Sequence, residues 1–198
     1  MMRISPNHTL EQFGGQLSLD NKITVFEHRT LGWQIEVADV LINGRSGVPG
    51  LEDVPRNPDA GFAVMSILFS YFEMIAQFED GYVGDGRGVS RQYFQRGFES
   101  VFPDLMQHPP ATAKAVLDGL YNAVRCGLYH AGITAPGVLI SGDFRYPVMF
   151  SNDGRALLIN PLLLPEVLRQ HLKSYTSKLR DPANADLRRK FEARFDHG

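Results

Sequence analysis

An arginine and a histidine occur close together in one predicted helix, and the two side chains have the chemistry needed to act on a phosphodiester. Residues 120–130 read LYNAVRCGLYH. Arg125 is permanently charged and can hold a phosphate, whereas the imidazole of His130 titrates near neutrality and can move a proton. This pair is the strongest functional signal in the sequence.

The spacing of the pair sets a geometric condition on any site that uses both residues. On an ideal helix with about 100° per residue, Arg125 and His130 point roughly 140° apart. They are therefore not neighbours on one helix face. Either the helix loosens near Gly127, or a working site combines residues from two chains.

The segment resembles the signature of the HEPN superfamily, helical-bundle proteins in which a histidine follows an arginine after four to six intervening residues. Four residues separate Arg125 from His130. The surrounding layout is similar as well, with an amphipathic helix before the motif, a glycine after it, a strand-like region, and Asn160-Pro161 opening another helix. Over about residues 60–180, the chain looks like bacterial HEPN-like proteins of unassigned role.

The resemblance implies a dimer in which two motif helices face each other across a two-fold axis. It also implies metal-independent RNA cleavage without a cofactor, giving cyclic phosphate ends. His130 would take the proton of a ribose 2′-hydroxyl, and Arg125 would hold the phosphate and stabilise the charge of the transition state. The expected partners are a second copy of the chain, RNA and an antitoxin protein, in toxin-antitoxin systems or phage defence, with no membrane.

Three further side chains are candidates for substrate binding. Asn122 precedes Arg125 by about one helical turn and could supply a polar contact. Glu73, in the polar stripe of an earlier predicted helix, could orient Arg125 or His130. Tyr129 could stack on a base, although an aromatic residue here could equally pack at the rim of the bundle.

The residues also allow a function without catalysis. Catalytic HEPN members usually carry a polar residue after the arginine, whereas this chain has Cys126, whose thiol is only a weak hydrogen-bond donor. Arg125 could form an ordinary salt bridge with Asp118 or Glu73, and His130 could cap the last turn of its helix. The alternative is therefore a non-catalytic HEPN-like bundle that binds a nucleotide, RNA or a partner protein.

The hydrophobic pattern predicts a mainly α fold, a HEPN-like helical bundle with a small β-hairpin between the motif helix and the C-terminal helices. We expect a single domain over residues 1–198. Its predicted parts are an irregular lead-in at 1–22, a bundle at 25–180 with a hairpin near 138–159, and a short helix at 184–196. Within the bundle we expect a first helix at 25–43, a loop at 44–59 and a helix that Ser90 caps.

Composition limits the remaining function classes. A net charge of −2 over 198 residues argues against coating nucleic acid non-specifically. The single cysteine excludes an intrachain disulfide, and the six histidines lack metal-ligand spacing, so we expect no metal site. The absence of a signal peptide and of a long apolar run leads us to expect a cytoplasmic protein.

Overall fold

The computed structural model describes residues 2–85, 87–107, 117–122, 137–151, 153 and 155–197. The fold is mainly α, as predicted. The long helices of the described residues are α1 (Leu19–Thr30), α2 (Glu36–Asn43), α3 (Gly61–Asp80), α4 (Ser90–Val101), α5 (Leu164–Arg180) and α6 (Ala185–His197). Residues 117–120 are also helical. Short 3-10 turns cover Leu10–Phe13, Pro58–Ala60 and Pro103–Gln107.

Helix α3 is the centre of the hydrophobic core. Its apolar residues Leu68, Phe72 and Ile75 are fully buried, and the same core includes residues from every other long helix. Helix α4 approaches α3 most closely at Gly97, where an added Cβ would lie 1.7 Å from the carbonyl oxygen of Phe72. Only glycine leaves room for two helix backbones at this separation.

The stretch Pro58–Asp80, which contains α3, is long and apolar enough by length and composition to cross a membrane. Of its most apolar window, 56% is buried inside the protein. The core helix of a bundle has the same length and composition, so this stretch is weak evidence for a membrane span.

Much of the stretch at residues 2–22 forms regular secondary structure, which corrects the expectation of an irregular lead-in at 1–22. Strands β1 (Arg3–Ser5) and β2 (His8–Thr9) pair antiparallel. Helix α1 then begins at Leu19, before the expected start at Val25, because the Ser18 hydroxyl accepts a hydrogen bond from the backbone N–H of Asn21 at 3.3 Å. This N-cap satisfies a backbone donor of the first turn and so allows the helix to start early.

The helix predicted at 25–43 is interrupted by a π-helical turn at Leu31–Ile35. At Gly32 in this turn, an added Cβ would lie 2.5 Å from Cγ of Pro6, which joins β1 to β2. The N-terminal hairpin therefore packs directly on the π turn. A side chain larger than hydrogen would separate the two.

The predicted hairpin is part of a mixed three-stranded sheet. Strands β4 (Val148–Phe150) and β5 (Leu157–Ile159) pair antiparallel, as a hairpin requires. In the turn between them, Ser151 and Asp153 are joined by a hydrogen bond of 2.6 Å. Strand β3 (Val138–Ile140) adds to the other side of β5 in parallel, with Val138 opposite Leu157.

The C-terminal helices close the bundle. Helix α5 ends at Arg180, before Asp181-Pro182, and α6 follows as the sequence predicts. Lys22 of α1 joins α6 to the bundle through ion pairs with Glu192 at 2.7 Å and Asp196 at 2.8 Å.

Candidate functional site at the first turn of helix α4

The described residues include two of the five predicted site residues. Asn122 and Glu73 are described. Arg125, His130 and Tyr129 lie outside the described residues, as does Cys126. The surroundings of Asn122, which precedes Arg125 by three residues in the sequence, therefore define the part of the candidate site that can be built from contacts.

Asn122 is exposed and contacts an arginine of α4. Its side-chain oxygen accepts a hydrogen bond of 2.8 Å from Nη2 of Arg91. The guanidinium of Arg91 also lies over the ring of Tyr121, 5.3 Å from its centroid, and 3.8 Å from the carboxylate of Asp118. The guanidinium of Arg91 is thus held against residues 118–122 by three weak interactions.

Glu73 contacts the residue before Arg91. The hydroxyl of Ser90 donates to Glu73 Oε1 at 2.5 Å, and Gln77 donates to the same oxygen at 3.4 Å. Ser90 was expected to be the N-cap of its helix, but it is the first helical residue, and Val89 is the cap position. Its hydroxyl binds α3 and not its own backbone, because the carboxylate of Glu73 lies within reach.

Glu73 and Asn122 therefore meet at two adjacent residues of α4, although they are far apart in the sequence. We call Glu73, Ser90, Arg91, Asp118 and Asn122 the α4 junction. The side chains of Arg91 and Asp118 are 50% and 40% exposed, so solvent reaches this cluster. Ion pairs at such exposure are weak, and a guanidinium held this loosely can exchange its partners for a phosphate.

Arg91 is the residue of this cluster that sequence reasoning missed. It lies in the first turn of α4, after a glycine-rich turn. Nothing in the sequence at this place indicates a contact with residues 117–122. The contact joins α4 to residues 117–122, and no local periodicity predicts how two separate helices face each other.

A second polar cluster lies between α3, α4 and α5. Tyr71 and Nδ1 of His171 are 2.8 Å apart, and Nε2 of His171 is 3.2 Å from the hydroxyl of Ser100. Ser100 donates to Glu79 at 2.9 Å. Because the single hydroxyl proton of Ser100 points to Glu79, Nε2 of His171 must donate to Ser100, and Nδ1 accepts from Tyr71. We call these four residues the interior junction.

Burial governs the protonation of the interior junction. It lowers the pKa of His171 to about 4, with a smaller contribution from the nearby charge of Lys178. It also raises the pKa of Glu79 and raises that of Tyr71 well above its ordinary value. Because the pKa of His171 lies well below physiological pH, the interior junction holds a neutral imidazole between two helices under these conditions.

The described residues contain no group of three or more His, Cys, Asp or Glu side chains able to hold a metal ion. Comparisons with protein-family models, curated proteins and solved structures return no match for this chain. The contacts of its own side chains are therefore the basis for a functional proposal.

Proposed function

We propose that the chain is a metal-independent endoribonuclease of the HEPN type that acts as a homodimer. The observation that carries the proposal is the position of Arg91. This exposed cation lies 2.8 Å from Asn122, which precedes Arg125 by three residues in the sequence. We propose that Arg125 and His130 share this surface with Arg91, since two arginines near an imidazole suit a site for an RNA backbone.

In the proposed reaction, neutral His130 accepts the proton of a ribose 2′-hydroxyl, whose oxygen attacks the adjacent phosphorus. The bond from phosphorus to the 5′-oxygen breaks, and a protonated imidazole, the partner's copy or the same ring later, returns a proton to that oxygen. The products are a cyclic phosphate and a 5′-hydroxyl. Such positioned proton transfer contributes about 10²- to 10⁴-fold to the rate.

Arg125 binds the phosphate that reacts, because a planar guanidinium can donate two parallel hydrogen bonds to its oxygens. Arg91 binds a neighbouring phosphate and releases Asp118 when it does so. Asn122 and Glu73 keep Arg91 and Ser90 in place. An antitoxin protein that covers this surface would silence the enzyme, which fits a role in growth arrest or phage defence.

The deciding experiment incubates purified protein with mixed RNA, with and without a chelator. We expect cleavage that resists the chelator and leaves ends that a phosphatase cannot remove until acid opens the cyclic phosphate. Arg125→Ala and His130→Ala should each abolish it. His197→Ala and Arg155→Ala, which change exposed residues elsewhere, are the matched controls.

Mixing the two inactive variants tests the shared cleft. A mixed dimer carries one intact arginine and one intact histidine, so part of the activity should return. Absence of cleavage by the parent protein over a broad range of pH values and RNA substrates would exclude the proposed nuclease activity. The chain would then be a non-catalytic bundle that binds a nucleotide, RNA or a partner protein.

A further inference from the structure

A cavity of about 280 Å³ lies among α1, the π turn, α3 and α6, and it includes no residue of the α4 junction. Four of its nine lining residues are aromatic, and two are arginines, Arg29 and Arg194. The aromatic residues are Phe26, Trp33, Phe78 and Phe195. Its volume is close to the lower end of the range of small-molecule sites, and apolar walls with a few polar groups are typical of such sites.

The two arginines of the cavity have only neutral hydrogen-bond partners among the described residues. Nε of Arg29 donates to the carbonyl oxygen of Ile4 at 3.1 Å, and Nη2 of Arg194 donates to the amide oxygen of Gln77 at 2.8 Å. Within the described part of the chain, neither arginine forms an ion pair, and the buried Nε of Arg194 has no hydrogen-bond partner.

Other arginines in the bundle, in contrast to these two, form ion pairs with acidic side chains. Arg169 contacts Asp39 at 2.7 Å, and Arg96 contacts Asp80 at 3.2 Å, so their charges are compensated. In the cavity, Arg29 and Arg194 instead lie over Phe195 and Phe78, at 5.7 Å and 5.9 Å from the ring centroids. Burial lowers the pKa of Arg29, as expected for a partly buried cation without a counter-ion.

The π turn provides a second, independent indication of a binding site. Trp33 and Gln34, which both line the cavity, belong to Leu31–Ile35, and π turns inside helices occur frequently at functional sites. Gln34 is fixed by a hydrogen bond of 2.6 Å to Ser70. Trp33 remains 47% exposed at the mouth of the cavity, where a ligand can cover it.

We propose that this cavity binds a small organic anion, a carboxylate or phosphate monoester carried by a flat apolar body. The anionic group pairs with Arg29 and Arg194, and the body lies between Trp33 and the phenylalanine rings. The ligand supplies the negative charge that the protein lacks at this point. Its apolar part is transferred from water into contact with aromatic side chains, which favours binding.

The single tryptophan of the chain makes the test direct, because all tryptophan fluorescence comes from Trp33 at the cavity. The parent protein is titrated with phenylacetate, with phenyl phosphate and with neutral phenylacetamide. We expect a saturable change with at least one anion and binding of the amide weaker by about tenfold or more, since the charged hydrogen bonds are lost. The two anions distinguish a carboxylate from a phosphate ligand.

Arg194→Met keeps an apolar stem over Phe78 and removes one of the two charges, so it should reduce the preference for the anion several-fold. Arg56→Gln, at an exposed position outside the cavity, should bind as the parent does. The proposal is overturned if neither anion gives a saturable signal, if the amide binds as well as the anions, or if Arg194→Met leaves the preference intact. RNA cleavage is not measured, so the outcome is independent of the proposed nuclease.

Discussion

The interior junction and the α4 junction both attach side chains of α3 to α4, yet they differ in how their polar groups are satisfied. In the interior junction, each of Tyr71, His171, Ser100 and Glu79 is hydrogen-bonded to another member, with Tyr71 buried and the other three partly buried. In the α4 junction, Arg91 is half exposed and its guanidinium contacts Asn122, Tyr121 and Asp118. A closed chain of this kind stabilises the bundle, whereas an open cluster is free to bind something else.

Both clusters depend on the close approach of α3 and α4 at Gly97, so a change there should have the largest effect. Gly97→Ala places a Cβ against the backbone of Phe72 and forces the helices apart. We expect a loss of about 3 kcal/mol in the free energy of unfolding, measured by denaturant titration.

Gly119→Ala is the matched control for that change. Gly119 lies in a helical segment, and an added Cβ would have no atom of the described residues within 4 Å. It should be neutral or stabilise by up to about 1 kcal/mol, because alanine favours helix. Equal effects at Gly97 and Gly119 would show that the close helix contact does not exist.

The sequence predicts the helices well where one face repeats. Leu68, Phe72 and Ile75 mark the buried side of α3 by their spacing alone, and α3 is indeed the core helix. The sheet hairpin was similarly foreseeable, because a turn sequence stands between two short apolar runs. Such signals are local, and the physics that creates them acts within a few residues.

Contacts between distant segments could not be predicted in this way. Tyr71 and His171 are 100 residues apart, and neither carries a local sign of the other. The parallel addition of β3 to β5 and the π turn at Leu31–Ile35 likewise follow from packing. Ser90 illustrates the same limit. It is a suitable capping residue, but its hydroxyl donates a hydrogen bond to Glu73 on another helix.

A substitution at Tyr71 tests whether the polar groups of the interior junction are bonded to one another and not to water. Tyr71→Phe keeps the buried ring and leaves Nδ1 of His171 without its donor, so the folded state should lose about 2 kcal/mol. Tyr146→Phe, at a side chain that is 50% exposed, should change the free energy of unfolding little. Similar small losses in both variants would mean that the interior junction is open to water.

The third prediction concerns the pH dependence of the interior junction. Folding lowers the pKa of His171 from 6.5 to about 4. Between these values the unfolded chain is protonated and the folded protein is not, so stability falls as the pH falls from 6.5 towards 4 and levels off below. Allowing for the partial exposure of the ring, we expect a loss of about 1 to 2 kcal/mol.

Glu79 opposes this trend, because its raised pKa lets the folded protein take up its proton first on acidification. Comparing parent and His171→Gln at each pH isolates the histidine, since both proteins retain Glu79 and Lys178. The variant should lose less stability over this pH window, as followed by thermal or denaturant unfolding. Parallel pH profiles for the two proteins would contradict a buried neutral imidazole.

The smallest effect on stability is expected at the α4 junction, and there it should separate from the effect on function. Arg91→Met keeps the stem over Tyr121 and removes the charge, so the free energy of unfolding should change by about 0.5 kcal/mol or less. If Arg91 binds an RNA phosphate next to the reacting one, KM for RNA should rise while kcat stays similar.

Arg87→Met is the control for this variant, because Arg87 is 89% exposed and pairs with its sequence neighbour Asp85 at 2.7 Å. It removes the same charge from a nearby surface, so the difference between the two variants measures position and not overall charge. A stability loss at Arg91 as large as that of Tyr71→Phe would make the α4 junction structural. An unchanged KM would instead show that Arg91 does not contact the RNA, because loss of a charge that binds substrate must weaken substrate binding.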